Sequence, residues 1–201
     1  MTERPGGRRG SDSRVGSGST SRSRPAGHES DGFASDVEAE EAARAIALRQ
    51  LAAAPRSRGQ LSEAMAKRLV PEHVADRVLD RFTEVGLVDD DEYAAMLVRT
   101  RHGERGLSRR AIAVELRRKG IDDETAAAAL GQVDDEDEEA AARSLVRRKL
   151  RASASLDPEV ARRRIYGALG RKGYAPGLVA RVLRDELAES DGDSFAEVDG
   201  P

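Results

Sequence analysis

Residues 86–121 read GLVDDDEYAAMLVRTRHGERGLSRRAIAVELRRKGI, and they predict the end of one small helical unit and most of the next. Asp89 with Glu92 three positions on is a capping-box pattern, in which a side-chain acceptor is followed by a carboxylate that can reach back. Val88 and Tyr93 occupy the positions of a hydrophobic staple around that start. The helix that follows places Tyr93, Met96 and Leu97 on one face, the spacing of a buried stripe. It runs out through Arg99 and Arg101 into a loop with Gly103 and Gly106. Ser108 caps a second helix, with Leu107 and Ile112 as its staple and Ile112 and Leu116 as its apolar stripe. Gly120 stops that helix where a left-handed residue is wanted, and Ile121-Asp122 open a third.

Working outward, the same plan recurs. Shifting Ser57, Leu61, Met65, Val70 and Leu79 by 51 gives Ser108, Ile112, Leu116, Ile121 and Leu130. Shifting Ile112, Leu116, Arg118, Lys119, Gly120, Ile121 and Leu130 by 53 gives Ile165, Leu169, Arg171, Lys172, Gly173, Tyr174 and Leu183. The expected fold is all-α: three tandem three-helix repeats in an elongated, curved array, spanning 37–88, 89–133 and 134–187. In the first repeat a helix near 38–54 carries Ala43, Ile46, Ala47, Gln50 and Leu51 on one face, and Pro55 ends it. Ser57 with Gln60 caps the second helix. Pro71 falls in the first turn of the third, lined by Val74, Val78, Phe82 and Val85. The third helix of repeat two is alanine-rich, with Ala126, Ala129, Leu130 and Val133. In repeat three Ala142, Leu145 and Val146 share a face, 151–156 form a loop, and Asp157-Pro158 open a helix. Tyr174 and Pro176 lead into the last helix, with Val179, Val182 and Leu183. A fifty-residue unit buries little by itself, so stacking between units is expected to supply the rest of the core.

The flanks differ from this. Residues 1–36 are rich in Gly, Ser and Arg and too poor in apolar side chains to offset chain entropy, so a disordered extension is expected. Residues 188–201 form an acidic tail, expected to fray beyond Leu187. The chain has 201 residues, 38% apolar, 3% aromatic and 35% charged, with no cysteine. That excludes a disulfide framework, a zinc ribbon and a thiol nucleophile. The absence of a signal-like apolar core, or of any apolar run near bilayer length, makes a cytoplasmic protein without a membrane partner the expectation.

Net charge conceals an asymmetry. Residues 143–184 hold twelve basic residues against Asp157 and Glu159 alone. Such a concentration favours an anionic partner, against the plainer reading of solvated faces on an arginine-rich protein. His28, His73 and His102 are scattered, and no metal-ligand spacing, phosphate loop or nucleophile elbow accompanies them. The acidic run 134–139 lacks the alternation and the glycine of a calcium loop and reads as a helix start. The sequence therefore points to no enzyme, no metal and no cofactor. The candidate partner-binding residues are Arg99, Arg101, Arg105, Arg109, Arg110, Arg117, Arg118 and Lys119 of unit two. Arg147, Arg148, Lys149, Arg151, Arg162, Arg163, Arg171 and Lys172 repeat the pattern in unit three. Their forks suit phosphates or carboxylates. No aromatic residues interleave with them to stack on bases, and Tyr93, Tyr166 and Tyr174 are expected in the core or at unit junctions.

The series in 86–121 is an acidic helix start, a tyrosine-led helix, Arg99-x-Arg101, a glycine loop, Arg109-Arg110 opening a helix, then Leu116-Arg-Arg-Lys-Gly-Ile121. It resembles the RecX family of bacterial regulators, and the resemblance covers about 40–187, most strongly unit two. It implies a non-enzymatic protein that binds RecA recombinase as a filament on single-stranded DNA; a monomer is the separate expectation. It further implies action in the filament groove, limiting filament growth and depressing ATP hydrolysis and strand exchange in recombination, repair and the SOS response. Weak direct DNA contact by the basic face is possible beside this. The alternative is a helical DNA-binding protein acting on nucleic acid itself, since the short Lys119-Gly120-Ile121 turn joins two helices as a helix-turn-helix does. The family carries no catalytic residues to this chain.

Overall fold

The computed structural model describes residues 33–196, with side chains through Glu189. All regular structure in that range is helical. Unit one comprises α1 (Asp36–Ala53), α2 (Arg58–Ala66) and α3 (Glu72–Glu84). Unit two comprises α4 (Asp90–Arg99), a π-helical turn (Thr100–Glu104), α5 (Arg109–Arg118) and α6 (Asp123–Leu130). Unit three comprises α7 (Asp135–Ala152), α8 (Pro158–Arg171) and α9 (Pro176–Ala196).

Caps define the starts. Ser57 and Gln60 form a complete capping box on α2, and Ser108 and Asp122 accept from the N3 amides of α5 and α6. Asp89 accepts from the Glu92 amide, but the reciprocal half of the expected box is missing because the Glu92 carboxylate turns to Arg99 at 3.0 Å. Asp157-Pro158 takes the N-cap and N1 positions of α8. Pro71 is itself the N-cap of α3, one place earlier than expected, with its ψ of 138° still extended.

The second helix of each unit ends in the same way. Val70, Ile121 and Tyr174 donate backbone N–H groups to the carbonyls of Met65, Leu116 and Leu169, each at 3.2 Å. Leu69, Gly120 and Gly173, just before them, have φ of 61°, 77° and 88°. These are Schellman caps, closed by an apolar contact between the residue after the left-handed position and the last turn. Leu69 holds that conformation at the cost of a Cβ against the following carbonyl, and its side chain is exposed. Leu69→Gly is expected to stabilise unit one by about 0.5–1 kcal/mol, the left-handed penalty less the chain entropy of glycine. Thermal melting measures this; an unchanged or lowered midpoint overturns it.

Three separate cores result. The first includes Ala43, Ile46, Leu61, Met65, Val74, Val78 and Phe82. The second includes Tyr93, Leu97, Ile112, Leu116 and Ile121, and the third Leu145, Val146, Ile165, Leu169, Tyr174 and Val182. Apolar stacking between units, expected from the sequence, is replaced by compact cores of their own. Val88 belongs to the first core and Tyr93 to the second, so the pair is no staple but straddles two cores. Val85 is 53% exposed, because it is the C-cap of α3 where the chain turns away from the core. Arg151 and Ala152 are helical rather than looped. Likewise α9 continues past Leu187 to Ala196, with Glu189 held by Arg147 at 3.0 Å. The expected disorder of 1–36 falls, up to residue 32, outside the described residues, as does the tail from residue 197.

Polar joints link the units, and they repeat. The Ser57 hydroxyl donates to the Lys119 carbonyl, and the Ser108 amide donates to the Lys172 carbonyl at 3.0 Å. Each acceptor lies at the end of the next unit's second helix. The Arg58 amide donates to Asp90 Oδ1 at 2.8 Å, and the Arg109 amide to Glu138 Oε1 at 3.0 Å. A helix N-terminus is thus satisfied by a carboxylate of the next unit. Tyr174 adds a third tie, its hydroxyl donating to the Gly106 carbonyl at 3.2 Å.

Candidate partner-binding face

The candidate face is built on α5 and α8, the equivalent second helices of units two and three. Ile112 and Leu116 anchor α5, and Ile165 and Leu169 anchor α8, all essentially without exposure. Fixing those stripes inward turns Arg110 and Arg117 outward, seven residues apart and separated by the exposed Val114. Arg118 is exposed beside them. At the offset of 53, Arg110 and Arg118 match Arg163 and Arg171 on α8, also exposed, while Arg117 matches Gly170. A Cβ at Gly167 would meet Arg171 Nη1 at 3.4 Å, so the Arg171 side chain lies back over the helix there.

The sixteen sequence-derived basic residues divide by what they touch. Arg101 is held in a fork on Glu115, with Nε and Nη2 donating at 2.7 and 2.6 Å. The Arg101 hydrogen bonds keep the Glu115 carboxyl below its usual range, against the opposing effect of burial. The π-helical turn sets this pair: Leu107 N donates to Arg101 O at 3.0 Å, and His102 Nδ1 to Leu107 O at 3.1 Å. Arg109 pairs with Asp135 at 2.6 Å across the joint between units two and three. Arg147 is bound to Glu186 and Glu189. The Lys172 ammonium donates to the Arg105 carbonyl, another tie across that joint. Arg99 and Arg162 make exposed pairs with Glu92 and Glu159.

The rest form no ion pair among the described residues. Arg105, Arg110, Arg117 and Arg118 are exposed in unit two, with Lys119 half-buried at the joint. In unit three Arg148, Lys149, Arg151, Arg163 and Arg171 are exposed. Free cations on one helix cost little in water, but several in a row hold a potential that draws anions. No group of three or more His, Cys, Asp or Glu residues able to hold a metal is found among the described residues. Among them, too, no helix is long and apolar enough to cross a membrane.

The joints between units carry their own signature. Burial between units one and two pushes the Asp90 carboxyl up, although the Arg58 amide donates to it. Burial pushes the Tyr174 hydroxyl up to about 12, so it stays a donor to Gly106 at any ordinary pH. Sequence reasoning missed two further sets of arginines. Arg164 is exposed on α8 beside Arg163. In unit one Arg49, Arg56 and Arg68 face a common pocket. The offset that aligned the apolar residues carried a signal for one of them, since shifting Arg68 by 51 gives Lys119.

Comparison with known proteins agrees with this division of the chain. Residues 43–82 match the family model of the first three-helix domain of RecX, 89–130 the second and 136–183 the third. Regulatory protein RecX of Thermobifida fusca is 50% identical over 159 residues, covering 79% of this chain and 84% of that protein. Regulatory protein RecX of Streptomyces coelicolor is 50% identical over 154 residues, 77% of this chain and 82% of that protein. The crystal structure of RecX from Lactobacillus salivarius aligns with a TM-score of 0.65 at 19% identity, over 74% of this chain and 97% of that one. The crystal structure of another regulatory protein RecX gives 0.63 at 22% identity, over 75% of this chain and 73% of that one. At those identities the structures speak for the fold.

Proposed function

The chain belongs to the RecX family of regulatory proteins, and from that membership we propose that it binds RecA filaments on single-stranded DNA. In this reading it acts without catalysis of its own, as a cytoplasmic monomer, and depresses RecA ATP hydrolysis, filament growth and strand exchange. The observation that carries the contact is the recurrence of unpaired, exposed arginines at matched positions of α5 and α8. Of the candidate cations without an ion pair, Arg110, Arg117, Arg118, Arg163 and Arg171 lie on those two helices, with Lys119 at the edge, and Arg105, Arg148, Lys149 and Arg151 lie on the preceding loop and α7. The ion pairs of Arg101, Arg109 and Arg147 serve the fold. Units with separate cores joined in tandem suit a long, repetitive partner, because units two and three present equivalent helices to successive subunits.

Steady-state RecA ATPase on single-stranded DNA, titrated with this protein, tests the reading. Substoichiometric inhibition is the expected result. Charge reversal of Arg110, Arg117 and Arg118 to Glu should raise the concentration needed by about tenfold or more while far-ultraviolet dichroism stays unchanged. Inhibition that persists unaltered removes this face as the contact. Inhibition only in excess over DNA sites favours the second reading, direct binding of nucleic acid. That reading draws on the same uncompensated cations and on the tight α5–α6 turn at Gly120. Direct binding falls steeply with salt and needs no recombinase.

A further inference from the structure

Unit one holds a pocket of about 310 Å³ where the elbow between α1 and α2 meets the far end of α2. Arg49, Arg56 and Arg68 line it, with Gln50 and Gln60 between them. None of the three arginines forms an ion pair among the described residues. The carboxylate in the lining, Glu63, is taken by Lys67 at 2.7 Å. Arg56 is half-buried, and its Nε is shielded from solvent with no hydrogen-bond partner. An Nε–H drawn out of water without an acceptor, in a pocket lined by two further arginines, is costly unless an anion completes the site.

We propose that this pocket is a phosphate-binding site that receives a backbone phosphate of single-stranded nucleic acid. Three arginines line one concavity, and their forks are the groups best suited to phosphate oxygens. No aromatic ring lines the pocket to stack a base, so the backbone rather than a nucleobase is what it holds. Apolar lining is confined to Ile46 and Ala64, with parts of longer side chains. An acidic peptide would lack the buried anchor that protein docking needs. A flexible single strand can bend a phosphate into a concavity, whereas duplex phosphates lie on a stiff convex surface. The pocket also lies next to the joint with the end of α5. Arg56 adjoins Ser57, whose hydroxyl donates to the Lys119 carbonyl, and Arg117 and Arg118 precede that lysine. The inference rests on the anion-binding reading of the α5 face but concerns unit one, and oligonucleotide binding reads it separately from RecA inhibition.

The test uses the full chain, a labelled oligothymidylate and anisotropy across a salt series. Arg49→Gln/Arg68→Gln should weaken binding by about tenfold at low salt and flatten the logarithmic salt dependence by about 0.7 for each phosphate no longer neutralised. Arg49→Lys/Arg68→Lys should retain most of the slope. Inorganic pyrophosphate should raise the melting midpoint of the unaltered protein above that in chloride of equal ionic strength. It should not do so for the double glutamine variant. Unchanged affinity and slope in that variant overturn the site, as does failure of the unaltered protein to bind the oligonucleotide. Loss of RecA inhibition with oligonucleotide binding intact also overturns it, assigning the pocket to a protein carboxylate. Conversely, loss of oligonucleotide binding with RecA inhibition intact supports the pocket while separating it from the filament reading.

Discussion

Gly120→Ala should lower stability by about 3 kcal/mol, more than a hundredfold in the folding equilibrium. Two costs add. The first is the left-handed φ of 77°, which costs an L side chain about 1–2 kcal/mol. The second is steric: an added Cβ would stand 2.9 Å from Gly59 Cα. That neighbour is backbone, so no side chain can rotate away, and relief requires α2 and α5 to separate. Overpacking of this kind costs about 1–3 kcal/mol. Gly59→Ala isolates the second cost. Its new Cβ would lie 2.8 Å from Gly120 Cα and 3.0 Å from Lys119 O, with no unusual φ. In a free helix the change would gain about 1 kcal/mol from propensity, so a net loss reports the joint alone. Because the units have separate cores, the damage should appear as uncoupling. Hydrogen exchange should show unit one opening at lower energy while the third core keeps its protection. If Gly120→Ala melts as the unaltered protein does and Gly59→Ala melts higher, units one and two are not joined here.

The residues that specify this joint explain what was legible in the sequence and what was not. Helix order, the caps at Ser57, Ser108, Asp122 and Asp157, and the stop at Gly120 are local signals, and they could be read within a turn of each position. The repeat could be read because buried positions recur by offset. Gly59 was silent for a physical reason: its offset partner is Arg110, so the repeat hides it, and only approach of another unit's backbone requires glycine there. Leu69 was silent too, since a left-handed leucine does not look like a helix stop. The basic residues were legible as charge but not by role. Whether an arginine binds outward or serves the fold depends on a carboxylate distant in sequence. Glu115 lies 14 residues from Arg101, and Glu186 lies 39 from Arg147.

That last carboxylate supports the other large prediction. Glu186 on α9 is among the few buried polar side chains, 6% exposed, and it accepts from Arg143 Nη1 at 3.1 Å and from Arg147 Nε. It thereby ties α7 to α9, the outer pair of helices in unit three. Glu186→Ala should cost about 2–3 kcal/mol, the loss of charge-assisted hydrogen bonds together with a small void. The loss stays below that of a fully buried pair because both arginines have other acceptors: Arg143 keeps Glu139 at 3.0 Å, and Arg147 keeps Glu189 at 3.0 Å. Glu186→Leu should cost less than Glu186→Ala. The leucine fills the space beside Val182 and Leu183, and the partly exposed guanidiniums recover water. Thermal melting of the two variants decides this. Equal loss in both would mean that the charge pairing, rather than the packing around it, is what Glu186 contributes. If neither variant shifts the midpoint, α7 and α9 are held by their apolar stripe alone, and Arg147 returns to the set of cations free to meet a partner.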